Sequence, residues 1–261
     1  MPLDKWDYMQ FKAAFFKKTG LDLERYKDKQ MERRILQLMS KEKKPDYKEF
    51  YEFITTSSDA MDRFMDYLTI NTSEFFRDEQ VYNRLQDEIF AKVLQKEKGP
   101  VKIWSAGCSI GAEPYTIAIA MDKLNALNRV KIFATDIDEG ALRIAQKGSY
   151  NVKQLGKTDN DVVKKYFQQQ ETQYVVAPNI KRVVTFKRHN LLTDPPITGC
   201  HMIFCRNVFI YFKQDTQDFL LQGFVSGLVT GGYLVIGSAE YISNPARFGL
   251  EKAYTTIYQK T

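Results

Sequence analysis

Apolar residues recur at helical spacing through the first third of the chain and gather into short strand-like runs beyond it. Tyr8, Phe11, Phe15 and Phe16 mark one face of a helix that Gly20 ends. Asp22 is placed to cap a second helix, in which Leu23, Tyr26, Met31, Ile35, Leu38 and Met39 form an apolar stripe. Tyr47 to Ile54 and Ala60 to Leu68 predict two more helices. The segment Leu68 to Asp78 reads as a polar turn with Ser73 as a helix cap and Glu74 in the first turn, followed by a helix over 79–96. From Val101 the pattern changes. Apolar runs at 101–106, 130–136, 183–186, 202–205 and 233–238 alternate with helical stretches, which predicts an α/β fold around a mostly parallel sheet. Residues 148–182 break the alternation and predict a small insertion with a helix near 159–167 and a short strand or two. A last strand, Tyr254 to Tyr258, follows 233–238 with no helix between, so an antiparallel terminal pair is expected.

Composition narrows the classes. A chain of 261 residues with 44% hydrophobic content suits one large domain, or a medium domain with a small companion. No apolar run reaches the roughly eighteen residues that a membrane span needs, and the start, Met1 to Asp7, is charged and lacks the apolar core of a signal peptide. Cys108, Cys200 and Cys205 are odd in number and show no metal spacing, as in a reduced cytosolic protein. His189 and His201 are the only histidines and sit in no zinc or triad pattern. The net charge of +6 points to an acidic partner. It concentrates at 25–48, where nine Lys/Arg face four Asp/Glu, a local +5. Lys27, Lys29, Arg33 and Arg34 lead that basic stretch, which is either a solvated helix face or a docking surface.

The chemistry centres on Val101 to Tyr115. An apolar strand ends at Gly107, a loop closes at Gly111, and Pro114 suits the first turn of the helix that follows. Strand, glycine loop and helix build a nucleotide-type site at the carboxyl edge of an α/β sheet. The loop lacks the full dinucleotide fingerprint. Glu113 at the helix start repels phosphate and favours a ligand with hydroxyls or positive charge. Asp136, ending the next strand, suits the two hydroxyls of a ribose, with Asp138 as the alternative. Asn71, Ser73 and Arg77 place three polar donors close together ahead of the sheet.

Five stretches in order carry a resemblance: Asn71 to Arg77 (N-T-S-E-F-F-R), Ile103 to Tyr115 (I-W-S-A-G-C-S-I-G-A-E-P-Y), Ala134 to Asp138 (A-T-D-I-D), His189 to Leu192 (H-N-L-L) and Cys205 to Phe212 (C-R-N-V-F-I-Y-F). Together they resemble the CheR family, the chemotaxis receptor glutamate O-methyltransferases, over nearly the whole chain. Ser73 stands where many members carry Thr, and Ala112 where the loop often carries a second Glu. The resemblance implies a class I S-adenosylmethionine-dependent methyltransferase sheet, Rossmann-like with an antiparallel last strand. It further implies a helical N-terminal substrate-recognition domain at 1–78, a linker helix at 79–100, and a methyltransferase domain at 101–261 with a small β subdomain at 148–182. S-adenosylmethionine would be bound by Asn71, Ser73, Arg77, Gly107, Glu113, Asp136, Asn190, Leu191, Asn207 and Val208, leaving S-adenosylhomocysteine as product. Arg77 and Tyr211 would face the methyl group and the substrate carboxylate. The implied protein is a cytoplasmic monomer, recruited to membrane receptor arrays without entering the membrane and acting on the helical methylation region of receptors. Metal and nucleic acid play no part in it.

A glutamate side chain, with a pKa of about 4.3, is ionised at neutral pH and needs no general base to attack a methyl sulfonium. It needs alignment, which Arg77 and Tyr211 could supply. Two other readings are weaker. A nucleic-acid methyltransferase would use Asp194-Pro195-Pro196-Ile197 as its D-P-P-Y motif, but this tetrapeptide precedes its strand and lacks the stacking aromatic. A non-catalytic binding module has no use for Arg77, Asp136 and Tyr211 together. Finally, Phe167 to Val175 is short and free of glycine, unlike the insertion of members that tether to a receptor's C-terminal pentapeptide. A pentapeptide-independent type is therefore expected, with the basic N-terminal helix recognising the receptor, Arg33 and Arg34 foremost beside Lys27 and Lys29.

Overall fold

The computed structural model describes residues 5–69 and 73–261. They form two compact units, one made of the described residues before Ser73 with Tyr211–Phe219, the other of Ser73–Ile210 with Leu220–Thr261.

The first unit is helical: α1 (Tyr8–Thr19), α2 (Asp28–Lys41), α3 (Tyr47–Thr55) and α4 (Ser58–Thr69). A reciprocal cap between Asp7 and Gln10 starts α1. Phe11, Phe15, Phe50 and Phe64 are fully buried at its centre, Phe64 edge-on to Phe15 with ring centres 5.2 Å apart. Each contributes about 1.5–3 kcal/mol of burial. The second helix starts later than its apolar stripe suggests. Asp22 caps only a short 3₁₀ turn, Leu23–Arg25. Tyr26 then bridges to Phe212: the Lys27 N–H donates to the Tyr211 carbonyl at 2.9 Å and the Lys213 N–H to the Arg25 carbonyl at 3.0 Å. Backbone groups used in that bridge cannot also make helical bonds, so α2 begins only at Asp28.

The second unit opens with α5 (Glu79–Arg84), which passes through a π-helical stretch, Leu85–Phe90, into α6 (Ala91–Lys96). Its Tyr82, Leu85, Ile89, Phe90 and Val93 are buried in the core of the sheet unit. The expected cap at Ser73 is not formed. Phe75 is buried edge-on against Tyr150 and Phe167, with centroids 4.9 and 5.0 Å away. The turn that buries it puts Phe76 and Asp78 at φ 53° and 60°, which a continuing helix forbids.

Beyond α6 the order is β1 (Val101–Ala106), α7 (Ala112–Lys123), β2 (Val130–Asp136), α8 (Glu139–Lys147), β3 (Ser149–Asn151), α9 (Val152–Leu155), α10 (Asn160–Tyr166), β4 (Phe167–Gln170), β5 (Gln173–Val176), α11 (Pro178–Arg182), β6 (Val184–Arg188), β7 (Cys200–Cys205), α12 (Gln214–Gly227), β8 (Leu228–Ile236), β9 (Leu250–Tyr254) and β10 (Ile257–Lys260). The main sheet has seven strands in the order β6-β2-β1-β7-β8-β10-β9. The first five are parallel and β10 is antiparallel to both its neighbours. What reads in sequence as one last strand is two, broken at Thr255-Thr256. The insertion holds three strands, β3-β5-β4, antiparallel, with a two-residue turn at Glu171-Thr172. Among the described residues no helix is long and apolar enough to cross a membrane.

Candidate functional site

Strands β1, β2, β6 and β7 run parallel, so their carboxyl ends share one edge. At the end of β1 the chain turns through Gly107 (φ 77°) and Gly111 (φ 87°), conformations that a side chain disfavours. Space is short as well. A Cβ on Gly111 would lie 2.8 Å from the Ala145 Cβ of α8, and one on Gly107 would lie 2.7 Å from Val208 Cγ2. Gly111 thus lets α7 start hard against α8, and Gly107 lets the chain leaving β7 approach the loop.

Asp136, at the end of β2, is 8% exposed. Its Oδ2 accepts the Ser109 N–H at 2.7 Å and its Oδ1 the Asp138 N–H at 3.0 Å. Burial pushes its pKa up to about 6 against the pull of those N–H groups. The neighbouring Asp138 caps α8, accepting the Ala141 N–H at 3.1 Å. Beyond β6, the His189 N–H donates to the Asp136 carbonyl at 2.9 Å, which sets Asn190 beside this corner. Asn190 is buried in a turn: its Oδ1 accepts the Leu192 N–H at 3.0 Å and its N–H donates to Asp194 at 2.9 Å. Leu191, between them, is half-buried.

Glu113, in the first turn of α7, accepts the Ser105 hydroxyl at 2.7 Å and lies 3.6 Å from Arg206. Burial raises its pKa, and the Arg206 charge and Ser105 bond oppose the rise. Arg206, which the sequence reading passed over, organises this corner. Its side chain is 3% exposed. It pairs with Asp78 at 2.7 Å, donates to the Arg77 carbonyl at 3.0 Å and reaches the Tyr82 hydroxyl at 3.4 Å. Burial alone would lower its pKa, but Tyr82, Glu113 and Asp78 outweigh that and hold it charged. Glu240 was missed too. It accepts backbone N–H groups from Gly237, Asn207 and Ile210. An arginine directly after an apolar strand was the one available signal for Arg206; nothing local marks Glu240.

These contacts bring Arg77, Gly107, Glu113, Asp136, Asn190, Asn207 and Val208 to one end of the sheet unit. Ser73 and Arg77 are half-buried. Asn71 lies outside the described residues. Tyr211 ends the short 3₁₀ turn Phe209–Tyr211 and belongs to the helical unit. In that unit Lys27, Lys29 and Arg33 are exposed. Arg34 is half-buried, lies 4.7 Å over the Tyr67 ring and donates to the Tyr67 carbonyl.

The family described as CheR methyltransferase, SAM binding domain, matches residues 71–257, and the CheR methyltransferase all-alpha domain matches residues 6–69. The chain belongs to the CheR methyltransferase family. The chemotaxis protein methyltransferase of Listeria innocua is 35% identical to it, over 98% of this chain and 97% of the relative. That of Listeria monocytogenes is 34% identical over the same shares. That of Borreliella burgdorferi is 33% identical over 85% of this chain and 83% of the relative.

CheR methyltransferases of this build use S-adenosylmethionine. The residues present fit that cofactor. A carboxylate with spare lone pairs suits ribose hydroxyls. Half-buried Glu113, next to a loop where no Cβ fits at Gly107 or Gly111, suits a cationic ligand lying close to the backbone.

Proposed function

We propose that this CheR methyltransferase transfers a methyl group from S-adenosylmethionine to glutamate side chains of chemotaxis receptors, forming the methyl esters used in sensory adaptation. The observation that carries this reading is the 35% identity to a chemotaxis protein methyltransferase, which spans 98% of the chain and so covers both the helical and the sheet segments. Bound cofactor supplies an electrophilic methyl on a sulfonium. The protein's part is to align an already ionised glutamate with it. Asp136 holds the ribose, with Ser73, Gly107, Asn190, Leu191, Asn207 and Val208 around the cofactor. Glu113 favours its positive charge. Arg77 grips the substrate carboxylate, and Arg206 steadies it by bonding the Arg77 carbonyl and the adjacent Asp78. Too tight a grip would stabilise the ground state, so these groups position rather than activate. The test is incubation of a receptor cytoplasmic fragment with methyl-labelled cofactor. Base-labile label on glutamate is expected; label on nucleic acid alone, or none on the receptor, overturns the reading.

Recruitment, in this proposal, uses the basic face of α2 without a C-terminal receptor tether. The two-residue, glycine-free turn Glu171-Thr172 supports that, because it offers no extended loop for a docked peptide. Lys29 and Arg33 are exposed and suited to a Glu-rich receptor helix, whereas Arg34 is turned onto Tyr67. Reversing Lys29 and Arg33 to Glu is expected to lower receptor methylation strongly with S-adenosylhomocysteine affinity unchanged, and added salt should mimic part of the loss. Unaltered methylation by the reversal variant, with loss on trimming the receptor C-terminus, refutes this route.

A further inference from the structure

Where β7 and β8 end, the sheet ladder stops and backbone N–H groups are left to find other acceptors. One side chain takes several of them. Glu240 is 7% exposed. Its Oε2 accepts the Gly237 N–H at 2.6 Å and the Asn207 N–H at 2.9 Å, and its Oε1 accepts the Ile210 N–H at 3.2 Å. Its own N–H closes a turn on the Gly237 carbonyl at 3.0 Å. The carboxylate therefore ties the exit of β7 to the exit of β8.

The tie acts on a strained and crowded place. Asn207 sits at φ 61°, a left-handed conformation that, glycine apart, asparagine is among the few residues to adopt. A Cβ on Gly237 would lie 2.8 Å from the Asn207 N and 2.9 Å from its Nδ2, so the two strand ends touch backbone to backbone. One residue further on, Val208 fills the space over Gly107, where an added Cβ would meet it at 2.7 Å. One residue back, Arg206 is anchored on Asp78 and Glu113. The stretch 206–210 is thus pinned from two sides, and its placement decides how closely Val208 covers the glycine loop.

We infer that Glu240 is a positioning residue for the cofactor: it holds Asn207 in its left-handed conformation and sets Val208 against Gly107, shaping that edge of the binding site. This rests on the reading of Asn207 and Val208 as cofactor neighbours. A carboxylate suits the role because it accepts several N–H groups with one group and no donor of its own. An amide in its place turns an NH₂ toward backbone donors.

The experiment measures S-adenosylhomocysteine affinity by calorimetry on folded Glu240→Gln, together with KM for cofactor and for receptor fragment and a thermal melt. Glu240→Gln is expected to bind the product about tenfold or more weakly, equivalent to at least one charge-assisted hydrogen bond. Cofactor KM should rise while receptor KM stays put. A purely structural role would lower the melting temperature and leave the affinity of the folded protein within twofold of wild type; that result overturns the proposal. If Glu240→Gln is too unstable to assay, Glu240→Asp, one methylene shorter, is read by the same criteria. Asn207→Ala, measured beside it, separates the two claims. Affinity lost in Asn207→Ala but kept in the Glu240 variant overturns the positioning role alone. Affinity kept in both overturns the reading of the cofactor edge as well.

Discussion

Asp136 is the acid whose replacement says most about the cofactor site. A carboxylate offers about four lone-pair positions. Ser109 N–H occupies one on Oδ2 and Asp138 N–H one on Oδ1. The Ile137 N–H also bonds the carboxylate, so the capacity left, about one lone-pair position, is what a ribose hydroxyl would take. A hydrogen bond to a charged group is worth about 1.5–3 kcal/mol. Asp136→Asn keeps the shape and one acceptor but loses the charge and one oxygen. The expected loss of affinity for S-adenosylhomocysteine is about 2–4 kcal/mol, roughly 30- to 1000-fold. Stability should move the other way or little. The folded pKa of about 6 stands above the ordinary 3.8, so the native state holds its proton over a window in which the unfolded chain has lost it. Stability from this group is present in full below 3.8 and is lost as pH rises through about 6. At neutral pH the ionised group burdens the fold by up to about 3 kcal/mol, a load that Asp136→Asn removes while giving up part of the N–H bonding. The carboxylate thus serves binding rather than folding. Calorimetry at pH 7.5 and pH 5 should show wild-type affinity falling as Asp136 takes up its proton, and an Asn variant with a flat profile. A product analogue without the 2′ and 3′ hydroxyls should bind wild type weakly and be scarcely affected by Asp136→Asn. Equal affinity of wild type and variant for the natural product, or no loss on removing the hydroxyls, refutes the assignment.

Arg77→Ala should leave little turnover of a labelled receptor fragment while the protein melts near the wild-type temperature, and near-normal turnover would remove Arg77 from the active site. Arg206→Met leaves the half-buried carboxylates of Asp78 and Glu113 without their buried partner, so denaturant titration should show a loss of about 1–3 kcal/mol; an unchanged midpoint would mean that the cluster is not held by charge. Gly111→Ala combines a φ of 87° with a Cβ 2.8 Å from Ala145. Strain and overpacking together predict a loss of about 2–5 kcal/mol by the same titration.

Local pattern determined a good deal about this protein. The switch at Val101 from helical spacing to short apolar runs announced the parallel sheet, because strands covered on both faces lose their polar alternation. The missing helix after 233–238 announced the antiparallel ending, since reversing direction needs no crossover. The order of the short motifs identified the family, each motif being a local turn or strand end. What local pattern does not hold is the identity of a distant partner. Arg206 is an arginine in sequence; its role comes from Asp78, 128 positions away, and Glu113. Glu240 reads as a surface acid until the fold lays it under the N–H groups of Asn207 and Ile210. The cap at Ser73 lost to the burial of Phe75 between Tyr150 and Phe167, and the early start of the second helix lost to the bridge between Tyr26 and Phe212. In each case a local preference of about 1 kcal/mol competed with tertiary burial or hydrogen bonding of equal or greater size, and only the folded chain brings those competitors together.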